Sequence, residues 1–223
     1  MVALRREIAA LFPSSVAGHE LSGANDAEPL FEDELRCMAR AVGKRRDEFA
    51  MGRTAARRAM ALLGEPRVAL LPNADRSVAW PASVWGSISH ADGLCVAVVG
   101  LRSTLAGIGV DVEVKDRVEP KLWRMIATER EQAYLAQGTD ERVQRERATL
   151  LFSAKEAFYK AQYCVSRSWV GFHDAETTFE QPGTFQLELL KDVPGYFSAG
   201  TRFEGRYVHL AQHVVTALVL APR

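Results

Sequence analysis

The sequence predicts an α+β protein of two similar halves in a pseudo-twofold arrangement, each a helix packed on a small, mainly antiparallel sheet. Residues 32–99 contain apolar residues at helical spacing followed by short apolar segments, and residues 142–220 repeat this order. The halves would be residues 1–105 and 106–223, joined near residues 103–108. Because similar order is not sequence identity, the duplication is a hypothesis rather than a repeat read from matching residues.

The first half is predicted to hold a helical region and a small sheet. Glycine and proline interrupt residues 1–31, which predicts an irregular segment. Apolar spacing predicts a helix over Glu32–Leu63, with Gly43 as a candidate break and Gly64 at the end. Short apolar segments bounded by polar, glycine or proline residues predict strands at Val68–Leu71, Val84–Ile88 and Leu94–Val99.

The second half is predicted to repeat this order after an additional helix. That helix covers Leu122–Ala136, where we expect Glu129 and Glu131 to be solvated. A long charged helix follows over Arg142–Tyr163. Candidate strands then cover Ala175–Phe179, Thr184–Leu190, Tyr196–Phe203, Tyr207–Gln212 and Val214–Leu220.

Composition excludes several classes of protein. Of 223 residues, 48% are hydrophobic and 25% are charged, which supports a buried core and argues against a disordered or fibrous chain. The 28 basic residues equal the 28 acidic ones, so no overall field would attract nucleic acid or a membrane surface. The three cysteines are widely spaced, and no apolar segment approaches the roughly 18 residues of a membrane span. We therefore expect a cytoplasmic protein.

An apolar segment, Gly107–Glu113, ends in alternating carboxylates. Residues two apart in a strand face the same side, so Asp111 and Glu113 would point together. Two converging carboxylates suit a hard divalent cation such as Mg²⁺. An ordinary strand end entering solvent is the alternative, and for this segment alone it is the commoner case.

A second segment, Phe152–Ala161, places charges among aromatic residues. Glu156 and Lys160 are four apart and share a helical face, as in a surface ion pair contributing about 0.3 to 0.5 kcal/mol. Yet the chain has only six lysines, and two of them, Lys155 and Lys160, lie here. With Asp111 and Glu113, Glu156 would complete a metal site, and Lys160 could neutralise phosphate oxygens.

Two further segments offer contacts for phosphate. Ser89 and His90 lie in a predicted strand that closes into the turn Asp92–Gly93, where they could bind phosphate or cap a hairpin. A Ser–His nucleophilic pair is disfavoured because neighbouring strand residues point to opposite faces. An arginine-rich helix contains Arg45 and Arg53, although such a helix is usually a solvated surface.

These segments, in this order, resemble the 4′-phosphopantetheinyl transferase superfamily, especially its larger monomeric type, which activates siderophore, peptide and polyketide synthetases. The resemblance spans most of the chain. Its most specific elements are Gly109–Glu113 and Phe152–Ala161, supported upstream by Arg46–Phe49, Trp80–Pro81 and Ser87–His90. It implies two similar α+β halves with coenzyme A in the cleft between them.

The resemblance implies transfer of the phosphopantetheine group of coenzyme A to a serine of an apo acyl or peptidyl carrier protein, releasing adenosine 3′,5′-bisphosphate. By analogy, Mg²⁺, or Mn²⁺ in its place, would be held by Asp111, Glu113 and Glu156. Glu156 would also be the general base, and Lys160 and Lys155 would stabilise charge on the phosphates. The contacts to adenine and the 3′-phosphate map onto Arg45, Arg53, Ser89 and His90.

The sequence departs from the family pattern at one position, and two rival functions remain open. Many relatives have a Gly-Lys-Pro element before Trp-Pro, and here Arg76 takes the place of that lysine. The rivals are a non-catalytic coenzyme A or nucleotide-binding module and a magnesium-dependent phosphohydrolase. The tract Gln162–Phe172, with Arg167, is the candidate carrier-binding surface, although Trp169 taken alone is more typical of core packing. The sequence does not disclose the pathway of the carrier.

Overall fold

The structure, a computed structural model, describes residues 4–222, which form two antiparallel sheets with helices packed on them. The strands are β1 Val16–Ser22, β2 Val84–Ala91, β3 Leu94–Leu101, β4 Gly107–Val114, β5 Ala175–Thr178, β6 Thr184–Leu189, β7 Arg202–His209 and β8 His213–Leu220. The helices are α1 Arg6–Ala9, α2 Glu32–Cys37, α3 Gly43–Leu62, α4 Trp123–Ile126, α5 Glu129–Ala136 and α6 Glu141–Ser166, with short 3₁₀ turns at Ala24–Asp26, Pro120–Leu122 and Phe172–Asp174. The α+β prediction is confirmed.

The three-stranded sheet has the order β1-β3-β2, and its central strand is buried on both faces. One face of β3, including Cys95 and Ala97, packs with Met51 of α3. The opposite face, including Val96, packs with Val110 of β4. A continuous apolar strand is the sequence pattern that burial on both faces requires. The first sheet is thus fastened both to its own helix and to the second half.

The five-stranded sheet has the order β4-β8-β7-β6-β5 and carries α6 across one face. Phe158 of α6 packs with Phe185 and Leu218 of the sheet. Gly107 and Gly109 of β4 lie directly beneath the helix, where an added Cβ would overlap backbone carbonyl oxygens of Ala161 and Ala157. The two glycines therefore allow α6 to approach β4 at backbone distance.

The two sheets share a connection pattern that the sequence did not fully reveal. In each, the first strand pairs antiparallel with the last, as β1 does with β3 and β4 does with β8. The expectation of irregular structure over residues 1–31 was wrong, because β1 lies within it. This strand buries His19 and Glu20, so its polar residues hide the alternation that would predict it.

Three other element predictions were wrong in detail. Val68–Leu71 forms no strand, and the predicted helix Leu122–Ala136 is two helices separated at Ala127 and Thr128. The strands predicted at Tyr196–Phe203 and Tyr207–Gln212 are instead one strand, β7, which runs across the glycine between them.

Gly205 explains the error in β7. A glycine between two apolar segments usually indicates a turn, but Gly205 is buried in the strand beneath Phe185, whose ring occupies the space of a side chain. The break at Gly43 is confirmed, since α3 begins there. None of the helices described between residues 4 and 222 has the length and apolar content to cross a membrane.

We expect Gly109→Ala to lower the free energy of unfolding by about 3 kcal/mol or more, because the new methyl group must displace the backbone of α6. Gly43→Ala is the matched control. Nothing lies within 4 Å of its added Cβ, so it should change stability by no more than about 1 kcal/mol. Urea denaturation of the two variants measures the difference, and equal midpoints would contradict the close approach.

Candidate active site

The two sheets meet where β2 lies beside β4, and serine side chains make the connection. The Ser87 hydroxyl accepts the backbone N–H of Val110 at 3.0 Å, and the Ser89 hydroxyl accepts that of Val112 at 3.1 Å. The outer edge of β4 would otherwise leave these donors without partners in a buried place. The serines of β2 thus complete the edge of the second sheet.

Asp111 of β4 lies at this junction and is only 4% exposed. Its Oδ1 accepts hydrogen bonds from Ser89 at 2.9 Å and from the Lys160 ammonium at 2.7 Å. Its Oδ2 accepts one from Ser153 at 2.8 Å. A buried carboxylate needs such donors because burial removes its hydration. The donors come from β2 and α6, so Asp111 joins three elements.

Glu113 and Glu156 lie close enough to Asp111 for their charges to interact. Burial raises the pKa of Glu113 to about 7, and repulsion from Asp111 and Glu156 adds to the rise. Burial also raises the pKa of Glu156, with Lys160 opposing the rise and Asp111 adding to it. The structure therefore brings together the three carboxylates and the lysine that the sequence singled out.

The chemistry of this donor set fits a hard divalent cation. Carboxylate oxygens are the ligands that Mg²⁺ prefers, and a cation would relieve the mutual repulsion that raises the pKa of Glu113. As the side chains stand, no three His, Cys, Asp or Glu residues among residues 4–222 are grouped to hold a metal ion. The Lys160 ammonium takes a cation's place on Asp111. The magnesium site stays a prediction.

Lys155 is not where the sequence prediction placed it. Its ammonium donates to Glu131 at 2.6 Å and to the backbone carbonyl oxygens of Ile126 and Phe172 at 3.2 and 2.6 Å. An ammonium has three donors, and all three are used. Burial lowers the pKa of Lys155, while Glu131 opposes this. In this arrangement the Lys155 ammonium has no donor left for a phosphate, and its assignment to the phosphates stays a prediction.

The expectation that Glu131 is solvated was also wrong. Its carboxylate is buried and accepts the backbone N–H groups of Thr128 and Thr177, each at 2.7 Å, in addition to Lys155. The spacing Thr128 to Glu131 is a capping box, a signal that was present in the sequence. Glu131 thus ties the start of α5 to strand β5 and to α6.

The Ser89 hydroxyl was expected to contact the nucleotide, but the structure shows it hydrogen bonded within the protein. This hydroxyl donates its single proton to Asp111 and accepts from Val112, so that proton is not available to a nucleotide phosphate. Sequence reasoning could not foresee this, because the pairing joins residues 22 apart across two sheets. The hydroxyl of Ser89 belongs to the junction between the halves.

The remaining residues assigned to the nucleotide lie near one another. Nη1 of Arg45 is 3.4 Å from Nε2 of His90 and 3.5 Å from a carboxylate oxygen of Glu48. Burial lowers the pKa of His90, with Glu48 opposing and Arg45 assisting. Arg53 lies deeper, with its guanidinium over the Phe49 ring at 4.0 Å, and burial lowers its pKa to about 10.

A cavity of about 290 Å³ lies between the two halves. Lys160 of α6 and Arg76 line it, and Arg76 has a left-handed backbone conformation, with φ of 68°. Across its mouth the Tyr163 hydroxyl donates to Asp75 at 2.6 Å. The sequence did not indicate the pairing of Tyr163 with Asp75, because the two residues are 88 positions apart.

A second cavity, of about 220 Å³, adjoins Glu156 and is lined mostly by apolar side chains. Tyr159 and Trp169 form part of its wall, with ring centroids 5.2 Å apart in an edge-on arrangement. Trp169 is 77% exposed, so core packing is not its role. An apolar cavity and an exposed aromatic ring thus lie beside the carboxylates.

Comparison with known proteins identifies the class of site. Residues 32–100 match the 4′-phosphopantetheinyl transferase N-terminal domain, and residues 107–217 match the 4′-phosphopantetheinyl transferase superfamily. The chain is 37% identical over 221 residues to the 4′-phosphopantetheinyl transferase Svp of Streptomyces mobaraensis, covering 96% of this chain and 89% of Svp. It is 33% identical over 226 residues to Npt of Nocardia iowensis, covering 96% of this chain and all of Npt.

A third relative is PptT of Mycobacterium tuberculosis, which is 34% identical over 196 residues, or 84% of this chain and 85% of PptT. Npt and PptT, like Svp, are named 4′-phosphopantetheinyl transferases. The chain belongs to the 4′-phosphopantetheinyl transferase superfamily, in its larger type. The resemblance inferred from the motifs is confirmed.

We expect Lys155→Met to lower the free energy of unfolding by about 3 to 5 kcal/mol, because it leaves the Glu131 carboxylate buried without its counter-charge. Arg142→Met is the matched control on the same helix. The Arg142 side chain is 79% exposed and pairs with Glu146, so its loss should change stability by less than about 1 kcal/mol. If Lys155→Met has unchanged stability but binds coenzyme A more weakly, the result would support a contact between Lys155 and the phosphates instead.

We expect the pKa of Glu113 to make stability depend on pH in the metal-free protein. With a pKa of about 7 when folded and near 4.5 when unfolded, Glu113 stays protonated longer in the folded chain. The stabilisation from this protonation is complete below pH 4.5 and is lost as the pH rises through 7. The free energy of unfolding should fall by at most about 3 kcal/mol over this range. Urea denaturation at several pH values should show this decrease in wild type relative to Glu113→Gln, and parallel curves would contradict it.

Proposed function

We propose that this protein transfers the 4′-phosphopantetheine group of coenzyme A to a serine hydroxyl of an apo carrier protein, releasing adenosine 3′,5′-bisphosphate. One observation carries the proposal: in a chain of this family, Asp111, Glu113, Glu156 and Lys160 converge where the two sheets meet. Neither the Gly109–Glu113 motif nor the Phe152–Ala161 motif would define a reaction by itself. Their convergence defines a place where a diphosphate can be held and a hydroxyl deprotonated.

The nucleotide end of coenzyme A would lie along the first half. Arg45, Arg53 and His90 supply positive charge or donors there, and Arg76 faces the cavity between the halves. These groups would contact the nucleotide end, which does not change covalently, so their interactions would contribute mainly to binding. The cavity also reaches Lys160, which connects the binding region to the reacting diphosphate.

The reaction would take place beside the carboxylates. Asp111, Glu113 and Glu156 would hold Mg²⁺, which neutralises charge on the diphosphate when bound. Lys160 would move from Asp111 to the phosphate oxygens and stabilise the charge that develops there. Burial raises the pKa of Glu156, which makes this carboxylate a better acceptor for the proton of the incoming serine.

The carrier would dock beside the second cavity. Trp169 presents an exposed ring there, and the exposed Arg167 lies on the same tract, with its guanidinium 5.4 Å from the centroid of Tyr163. An exposed aromatic ring and a cation on one tract suit a small helical carrier that is acidic near its modified serine. The serine would then reach Glu156 across the cavity wall.

Mass measurement of an apo carrier incubated with the protein, coenzyme A and Mg²⁺ tests the function. A gain equal to phosphopantetheine supports transfer. Intact coenzyme A would indicate a binding module, and cleavage without carrier modification would indicate a phosphohydrolase. Either result contradicts the proposal.

We expect Glu156→Gln to lower kcat at least about 100-fold while coenzyme A binding persists, because the amide cannot accept the serine proton. Glu146→Gln, ten residues earlier on α6 and half-exposed, is the control and should retain wild-type rates. Single-turnover transfer and calorimetric titration with coenzyme A separate chemistry from binding. Wild-type turnover by Glu156→Gln would reject Glu156 as the base.

We expect Arg167→Glu to raise the KM for the carrier at least about 10-fold at low salt, with the difference shrinking as salt is added. Arg142→Glu reverses a charge near the start of α6, at the opposite end from Arg167, which follows the last residue of that helix, and it should leave this KM unchanged. If the KM for coenzyme A rises instead, Arg167 serves the cavity between the halves and the docking surface is elsewhere.

A further inference from the structure

Two buried hydroxyl groups form a chain that ends on Asp111. Thr216 of β8 lies directly opposite Asp111 of β4 in the sheet register, so both side chains face α6. From α6, Ser153 reaches both of them: its hydroxyl oxygen is 2.8 Å from Oδ2 of Asp111 and 2.9 Å from the hydroxyl oxygen of Thr216. Ser153 and Thr216 are fully buried.

The direction in which Ser153 donates is fixed when Asp111 is ionised. A carboxylate only accepts, so the Ser153 hydroxyl must donate its one proton to Asp111. Thr216 also has one hydroxyl proton, which it donates to the Ser153 carbonyl oxygen at 2.8 Å, so the 2.9 Å contact between the two hydroxyl oxygens can take only a share of the same proton. Thr216 therefore donates to Ser153, and the Ser153 hydroxyl donates to Asp111.

This chain divides the two oxygens of Asp111 between different surroundings. Oδ2 points inward to Ser153, whereas Oδ1 meets Lys160, whose side chain is 26% exposed, and Ser89. Without Ser153, Oδ2 would be buried with no donor, and the carboxyl group could turn about its Cβ–Cγ bond to share other donors. Ser153 thus fixes which oxygen faces the cleft.

We propose that Ser153, supported by Thr216, is a positioning residue that holds the Asp111 carboxylate in the orientation needed to bind the divalent cation. The inference rests on the proposed function for the identity of the ligand. Partners that orient a metal-binding side chain commonly change metal affinity by 10- to 100-fold when they are removed. Both residues are fully buried, so their hydroxyls would act on the cation only through Asp111.

The test is direct titration of Mn²⁺ into the protein with coenzyme A present, following free Mn²⁺ by electron paramagnetic resonance. Ser153→Ala should bind Mn²⁺ about 10- to 100-fold more weakly than wild type. Thr216→Val, which keeps shape and removes the hydroxyl, should weaken binding less because it acts one step away. Thr216→Ser keeps the hydroxyl and should bind as wild type does.

Thr149→Val is the matched control. It deletes another buried hydroxyl of α6, one that contacts Val118 and Arg145 rather than Asp111. It should lower stability without changing Mn²⁺ affinity. In transfer assays, Ser153→Ala should need correspondingly more Mg²⁺ for half-maximal rate, whereas the carrier KM stays the same.

Wild-type Mn²⁺ affinity in Ser153→Ala would overturn the proposal and leave Ser153 a structural residue. If Ser153→Ala fails to fold, equal Mn²⁺ affinity of Thr216→Val and Thr216→Ser would overturn it instead. Absence of Mn²⁺ binding to the wild-type protein would also overturn the proposal. Failure of the proposed function looks different: the wild type would bind Mn²⁺ in a Ser153-dependent way but would not modify a carrier.

Discussion

A buried carboxylate that must be neutralised and hydrogen bonded is the constraint on which the rest of this structure depends. Asp111 receives donors from β2 and α6 while belonging to β4. An ionised group removed from water is tolerated only when such donors are all in place. Docking of the first sheet on the second and assembly of the site are therefore one event, since Ser89 serves both.

The apolar packing around Asp111 makes this arrangement possible. β3 uses one face for α3 and the other for β4, so the two halves share a core rather than meeting across a wet surface. On the far side of β4, Gly107 and Gly109 admit α6 at backbone distance. Asp111 is held between two packed layers, which limits its movement and places Lys160 within reach.

How much could be predicted from sequence follows from the distance over which each signal acts. The pairing of Asp111 with Glu113, and of Glu156 with Lys160, follows from strand and helix periodicity within one segment, and the structure brings both pairs together. The fold class likewise followed from local apolar patterns. The family motifs added the expectation that the two segments meet.

What could not be predicted depends on contacts between distant segments. Lys155 and Lys160 look alike in the sequence, yet one pairs with Glu131, 24 residues away, and the other with Asp111, 49 residues away. Helical position separates them, because residues five apart face different sides of α6. Choosing between the two lysines requires knowing which side of the helix meets the sheet junction and which meets α5.

The distribution of donors within the site has a consequence for its function. Asp111 has three donors, whereas the Glu113 carboxylate meets the exposed Arg117 at 3.5 Å. Burial and neighbouring carboxylates raise the pKa values of Glu113 and Glu156. The protein thus satisfies the carboxylate that joins its halves and leaves its neighbours under-neutralised. Mutual repulsion between ionised carboxylates disfavours the folded chain and favours a bound cation, because cation binding relieves the repulsion. The fold therefore depends on Asp111, and ligand affinity depends on the incomplete neutralisation of Glu113 and Glu156.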